Sequence, residues 1–136
     1  MNNDIKEVLY NEEKLRDKIR LMGAKISKDY YGKDLILIGI LKGSVIFMSD
    51  LLKEITIPCK MDFMAVSSYG NSTKTSGVVR ILKDLDFEIQ GKHVLIVEDI
   101  IDSGVTLKYL MKCLSARKPS SLEIICLLNK PERRKV

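Results

Sequence analysis

The chain of 136 residues has no tryptophan, three prolines, three cysteines and a single histidine. Its cysteines, Cys59, Cys113 and Cys126, are odd in number and far apart, which argues against a disulfide framework and against a Cys-x-x-Cys metal site. Two of them lie inside apolar runs, so we expect buried free thiols. His93 stands where a predicted strand begins, and we expect it to be structural or exposed rather than catalytic.

Long apolar runs are also missing. No segment approaches the roughly 18 consecutive apolar residues of a membrane span. The N-terminus, MNNDIKEVLYNEEK, is polar and acidic, whereas a signal peptide is basic and then apolar. These two absences predict a cytoplasmic protein that has no membrane partner.

Aromatic residues make up only 6% of the chain and do not interleave with the basic residues. The net charge is +5, but the lysines and arginines are scattered and only ERRK forms a run. This pattern argues against nucleic acid as a partner and favours a small anionic substrate. A basic RNA-binding domain is the alternative, and its binding would fall steeply with added salt.

The apolar pattern predicts one domain over residues 1–136. Helical spacing of Leu15, Ile19, Met22 and Ile26 predicts a first helix, capped by Asn11. Further helices are predicted over 44–55, with Ser44 as the cap, and over 104–117; strands are predicted over 34–41, 59–69, 77–85, 92–99 and 121–130. Alternating strands and helices predict an α/β fold, a central and mostly parallel sheet flanked by helices, which binds ligands beyond the carboxyl ends of its strands.

One such strand end carries the stretch VLIVEDIIDSGVT, residues 94–106. A strand, a short loop and a helix aim free backbone N–H groups at one point, where Gly104 allows close approach and Ser103 and Thr106 add hydroxyl donors. A phosphate suits this geometry. The motifs GxxxxGK[ST] and GxGxxG are both absent here, which excludes a nucleotide P-loop and a dinucleotide fingerprint.

The same stretch holds three carboxylates, Glu98, Asp99 and Asp102. Adjacent carboxylates at a strand end can accept hydrogen bonds from a vicinal diol or hold Mg²⁺, and Asp102 could act as a general base. A ribose phosphate satisfies both halves of the stretch. The plainer alternative is an exposed acidic turn whose carboxylates favour the start of the following helix.

With these residues in view, GKHVLIVEDIIDSG resembles the phosphoribosyl-diphosphate signature of type I phosphoribosyltransferases, and is most similar to their hypoxanthine–guanine branch. The resemblance extends over the whole chain, through LKGS and SSYGNSTKTSG to LLNKPERRKV. It implies a purine-salvage enzyme that uses Mg²⁺ to transfer 5-phosphoribosyl from phosphoribosyl diphosphate to N9 of a 6-oxopurine, as a homodimer or homotetramer. A regulator of the same fold that binds the ribose ligand without catalysis is the alternative; the presence of Asp102 favours the enzyme.

The resemblance also implies a role for each matching residue. Glu98 and Asp99 hold the ribose diol and the metal, and Asp102 is the general acid or base at the purine. The other implied sites are the 5′-phosphate cradle (Asp102, Ser103, Gly104, Val105 and Thr106), the diphosphate loop (Leu41, Lys42 and Gly43), the purine contacts (Ile100 and Lys130) and the start of a mobile lid (Ser68 and Tyr69). A peptide of the diphosphate loop can be cis in this family.

Two of these segments have plainer interpretations. Without the resemblance, Lys130 would be a solvated lysine at a strand end, and SSYGNSTKTSG a disordered hairpin tip. Family members continue past KPERRKV into further strands, which carry a residue that stacks on the base and an aspartate at the metal. We therefore expect the domain to be C-terminally incomplete relative to the family, without these hood strands.

Overall fold

The computed structural model describes residues 12–68, 79–101 and 105–129. Three helices and five strands lie along these residues, as the apolar pattern predicts. They are α1 (Glu12–Asp29), β1 (Leu35–Ile40), α2 (Val45–Leu52), β2 (Lys60–Ser68), β3 (Val79–Lys83), β4 (His93–Ile101), α3 (Val105–Ser115) and β5 (Ser121–Asn129). The predicted cap of the first helix, Asn11, lies outside the described residues.

The strands form one sheet in the order β3-β2-β1-β4-β5. β1 pairs in parallel with β2 and with β4, and β4 pairs in parallel with β5, whereas β3 runs antiparallel to β2 at one edge. The predicted mostly parallel sheet is therefore confirmed. The order reverses between β1 and β4, because β2 follows on one side of β1 and β5 on the far side of β4.

Helices cover both faces of this sheet, which is why β1 is buried along its whole length. On one face, Leu37 of β1 packs with Ile26 of α1 and Leu51 of α2. On the other face, Ile38 packs with Leu110 of α3 and the rest of a second apolar cluster. Fully burying such a side chain contributes about 1.5–3 kcal/mol to folding. The two clusters give the sheet a rigid centre on which loops at its edges can be positioned.

Two local predictions are wrong. Ser44 precedes α2, but its backbone is helical and its side chain makes no capping bond; the buried hydroxyl instead donates to the carbonyl oxygen of Ile40, at 2.7 Å. The hydroxyl thus donates to the end of β1, whereas a cap would have used its oxygen to accept a hydrogen bond from a helical N–H. The three cysteines are free thiols, as predicted, but they are only partly buried. Cys126 lies on β5, an outer strand of the described sheet, where less protein covers it, and Cys59 lies in the connection just before β2.

The single histidine has a structural role, as predicted. Its Nδ1 lies 2.8 Å from the hydroxyl oxygen of Ser121, and its ring meets Tyr30 edge to face with 6.2 Å between ring centroids. These contacts join the starts of β4 and β5 to the end of α1. Among the helices of the described residues, none has the length and apolar character that crossing a bilayer requires.

Candidate active site

The carboxyl ends of β1 and β4 lie side by side where the strand order reverses. Loops that leave two such strands diverge to opposite sides, and the crevice between them is where open α/β sheets bind ligands. The loop after β1 contains the predicted diphosphate residues 41–43. The end of β4 carries the predicted carboxylate pair. The fold therefore brings two separate sequence motifs to one edge of the sheet.

Glu98 and Asp99 lie near the end of β4, and neighbouring side chains of a strand point to opposite faces. Val97 belongs to the cluster that α1 and α2 cover, and Ile96 to the cluster beneath α3. The alternation therefore places Asp99 on the side of α1 and α2, and Glu98 on the side of α3. One ligand at the strand end can be reached from both faces.

Asp99 lies directly against the diphosphate loop. A Cβ atom built on Gly43 would be 3.2 Å from each carboxylate oxygen of Asp99, closer than about nine in ten real Cβ contacts. Only glycine fits at this position without displacing the carboxylate. The loop is also bonded to the sheet, since the Leu41 N–H donates to the carbonyl oxygen of Met64 at 2.8 Å. The Leu41–Lys42 peptide is cis, as the resemblance implied.

The surroundings of Glu98 change the pKa of its carboxyl group. Burial, and then the neighbouring charge of Asp99, raise the pKa of Glu98 from 4.5 to about 7, against a smaller opposing effect of a backbone hydrogen bond from Asp99. The partly buried carboxylate pair is therefore a place of strong negative potential that favours a proton, a cation or hydroxyl donors.

The donor set fits Mg²⁺. This ion prefers hard oxygen ligands and is bound by one or two carboxylates together with water and substrate phosphates. Within the described ranges, no cluster of three or more His, Cys, Asp or Glu side chains could hold a metal. Glu98 and Asp99 could thus supply one or two oxygens directly or through water, and a bound ligand would supply others.

The predicted phosphate cradle follows β4. The strand ends at Ile101 and α3 begins at Val105, so the predicted strand and helix on either side of residues 102–104 are confirmed. Thr106 lies in the first turn of α3, where backbone N–H groups are free of helical partners, and its side chain is partly exposed.

Other predicted site residues lie outside the described residues. These are Asp102, Ser103 and Gly104 of the signature, Lys130 at the end of β5, and Tyr69 of the lid. The structure gives only the backbone of Ile100, Val105 and Ser68. Their roles remain predictions from the resemblance.

Sequence reasoning missed two contacts beside the carboxylates. The thiol of Cys126 lies next to Glu98 in the register of β4 with β5, and its Sγ approaches the carbonyl oxygen of Asp99 at 3.8 Å. Lys18 of α1 donates from Nζ to the carbonyl oxygen of Leu127, at 2.7 Å. No local pattern signals either contact, because the residues meet only when β5 is placed beside β4 and α1 is laid over that face.

Comparison with known proteins gives a consistent result. The family profile described as phosphoribosyl transferase domain matches residues 6–136. A hypoxanthine-guanine phosphoribosyltransferase of Staphylococcus aureus is 52% identical over 135 residues, which are 99% of this chain and 75% of the relative. One of Mycobacterium avium is 53% identical over 137 residues, covering 96% of this chain and 68% of the relative.

A solved structure agrees with these relatives. The crystal structure of a hypoxanthine phosphoribosyltransferase from Staphylococcus aureus superposes with a TM-score of 0.92 at 51% identity. The match covers 100% of this chain and 74% of that one.

Proposed function

The chain belongs to the phosphoribosyl transferase domain family, and we propose that it transfers 5-phosphoribosyl from phosphoribosyl diphosphate to N9 of hypoxanthine or guanine. The products are IMP or GMP and diphosphate, so the activity is purine salvage. The single observation that carries the proposal is the contact of Asp99 with Gly43 at the reversal point of the sheet. It brings the carboxylates expected at the ribose beside the loop expected at the leaving diphosphate.

Each element of the site has a chemical task under this proposal. Glu98 and Asp99 accept hydrogen bonds from the 2′- and 3′-hydroxyls of the ribose and orient its anomeric carbon. The start of α3, with Thr106, holds the 5′-phosphate through N–H and hydroxyl donors. The N–H groups of the loop at Gly43 lie beside the diphosphate. Mg²⁺, when bound, neutralises charge on the diphosphate and makes it a better leaving group.

The residues outside the described ranges complete the reaction. Asp102 exchanges a proton with the purine ring as C1′ forms its bond to N9, and Lys130 donates to the 6-oxo group. The segment that begins at Ser68 and Tyr69 closes over the site. Closure is needed because an oxocarbenium-like C1′ exposed to water would be hydrolysed.

The exposed apolar surface supports self-association. Val45 and Ile46 of α2, Met61 of β2 and Leu82 of β3 are large apolar side chains that stay exposed, Ile46 by 72%. We infer a homodimer or homotetramer in the cytoplasm, where reducing conditions suit the free thiols. Ile46→Glu should reduce the mass measured by light scattering. Leu21 of α1 is an equally exposed side chain, and Leu21→Glu should leave the mass unchanged.

The direct test is nucleotide formation. The chain is incubated with phosphoribosyl diphosphate and Mg²⁺ and with hypoxanthine, guanine, xanthine or adenine in turn, and products are separated by chromatography. IMP and GMP should form, and EDTA should stop the reaction. Binding of phosphoribosyl diphosphate without any nucleotide product would instead support a regulator that lacks catalysis.

A further inference from the structure

Lys18 differs from the other basic residues of α1 whose partners the structure gives. Arg16, Arg20 and Lys25 make exposed ion pairs with acids of the same helix. The ammonium of Lys18 instead donates to the carbonyl oxygen of Leu127, at 2.7 Å in a partly buried position. The bond joins residues 109 positions apart and reaches the last third of β5. A charge-assisted bond of this length is stronger than a neutral one.

The end of β5 is held by side chains as well as by β4. β5 is an outer strand of the described sheet, so only β4 pairs with it there. Lys18 bonds to the carbonyl oxygen of Leu127, and the thiol of Cys126 bonds to that of Leu128, at 2.6 Å. Two consecutive carbonyl groups thus receive side-chain donors. These bonds hold the last residues of β5 in place.

This strand end borders the reaction site. Leu127 lines a groove of about 500 Å³ together with Asp99 and Gly43. Asn129, the last residue of β5, pairs with Ile101, the residue before Asp102. The next residue along the chain is Lys130. The Leu127 carbonyl therefore lies three residues before the lysine that the proposed function assigns to the purine base.

We propose that Lys18 is a positioning residue for the purine base, acting through the end of β5. The inference rests on the proposed transferase function. Lys18 touches neither substrate; it holds the strand from which the base contact departs. The residues expected at the ribose lie on β4, and those expected at the diphosphate follow β1. The pairing of β1 with β4 holds both sets in place and does not depend on the bond from Lys18 to Leu127. Loss of the bond from Lys18 should therefore weaken the binding of the purine base and leave the binding of phosphoribosyl diphosphate nearly unchanged.

The test compares Lys18→Met with Lys18→Arg and with Lys25→Met. Methionine keeps the length of the side chain without its donor, arginine restores a charged donor, and Lys25→Met removes an exposed lysine from the same helix. The KM for hypoxanthine should rise about 3- to 30-fold in Lys18→Met. This increase corresponds to part of the free energy that a charge-assisted hydrogen bond contributes. The KM for phosphoribosyl diphosphate and kcat should change by less than about twofold, and Lys18→Arg should recover most of the loss.

Hydrogen exchange gives a second readout that needs no turnover. Amide groups of residues 127–129 should exchange faster in Lys18→Met and be unchanged in Lys25→Met. Equal rises in both KM values, or an unchanged KM for hypoxanthine, would overturn the inference. If the wild-type chain forms no nucleotide, the proposed function fails, and unaltered exchange at the end of β5 would then overturn the positioning role on its own.

Discussion

Replacing Gly43 by alanine tests the geometry on which the proposed function depends. The added Cβ would lie 3.2 Å from both carboxylate oxygens of Asp99, so the carboxylate or the loop must move by a few tenths of an ångström. Because the oxygens belong to the acid expected at the ribose, the displacement acts on substrate orientation. Gly43 itself is exposed and does not have a positive φ, so alanine should not strain the backbone.

The size of the effect follows from the displacement. A misplacement of about 1 Å at a reacting centre can cost roughly 10²-fold in rate. If the loss scales with distance, Gly43→Ala should lower kcat/KM for phosphoribosyl diphosphate by about 3- to 10-fold, and the larger Gly43→Val by about 10²-fold. The melting temperature should stay near that of the wild type in both.

Gly32→Ala is the matched control. An added Cβ at Gly32 would meet no atom within 4 Å, but its φ of +79° disfavours any side chain. Stability should fall by about 1–2 kcal/mol while the kinetics stay unchanged. Chemical denaturation and steady-state rates separate the two patterns. Wild-type kinetics in Gly43→Val, or a stability loss in Gly43→Ala equal to that of Gly32→Ala, would refute the reasoning.

Three further variants test other parts of the site and the fold. Asp102→Asn should slow transfer by roughly 10²–10⁴-fold and leave the binding of phosphoribosyl diphosphate nearly unchanged, measured by rapid quench and calorimetry. Glu98→Gln with Asp99→Asn should weaken Mg²⁺-dependent substrate binding without lowering the melting temperature, because burial disfavours the charge that is removed. Hydrogen bonds from Arg117 lower the pKa of Asp84 below its usual 3.8. The ion pair should therefore stabilise the fold above pH 3.8, and this contribution should be lost as the pH falls through the lowered pKa. The urea midpoint of Asp84→Asn should then approach that of the wild type.

Most of the elements could be predicted because each has a local signal. The run LILIGI is apolar at every position, which is typical of a central strand buried on both faces, and β1 is such a strand. Leu107, Leu110 and Leu114 recur at helical spacing, and all three are buried on the side of α3 that faces the sheet. The periodicity of apolar residues indicates which side of a helix or strand is buried, and it can be recognised from residues that are close together in the sequence.

Strand order and direction have no such local signal. β3 reads as an ordinary apolar strand, and nothing in its residues shows that it runs antiparallel to β2. The contact of Gly43 with Asp99 also depends on β1 and β4 being neighbours, although more than fifty residues separate the two motifs. The cap predicted at Ser44 is wrong for a different reason: the serine precedes the helix, but its backbone is itself helical and its hydroxyl donates to the carbonyl oxygen of Ile40.

The geometry also explains why acids can stand beside a site for phosphates. Glu98 and Asp99 lie on opposite faces of β4, and burial, together with the neighbouring charge of Asp99, already raises the pKa of Glu98 to about 7. A doubly anionic pair would repel a phosphorylated ligand that approached alone. The ribose hydroxyls of such a ligand, however, are donors that both carboxylates can accept, and its phosphates can turn toward the N–H groups at the start of α3 and the loop at Gly43. Under the proposed function, a magnesium ion bound to the ligand would balance the remaining negative charge, and the site would then favour a phosphorylated sugar over a bare anion.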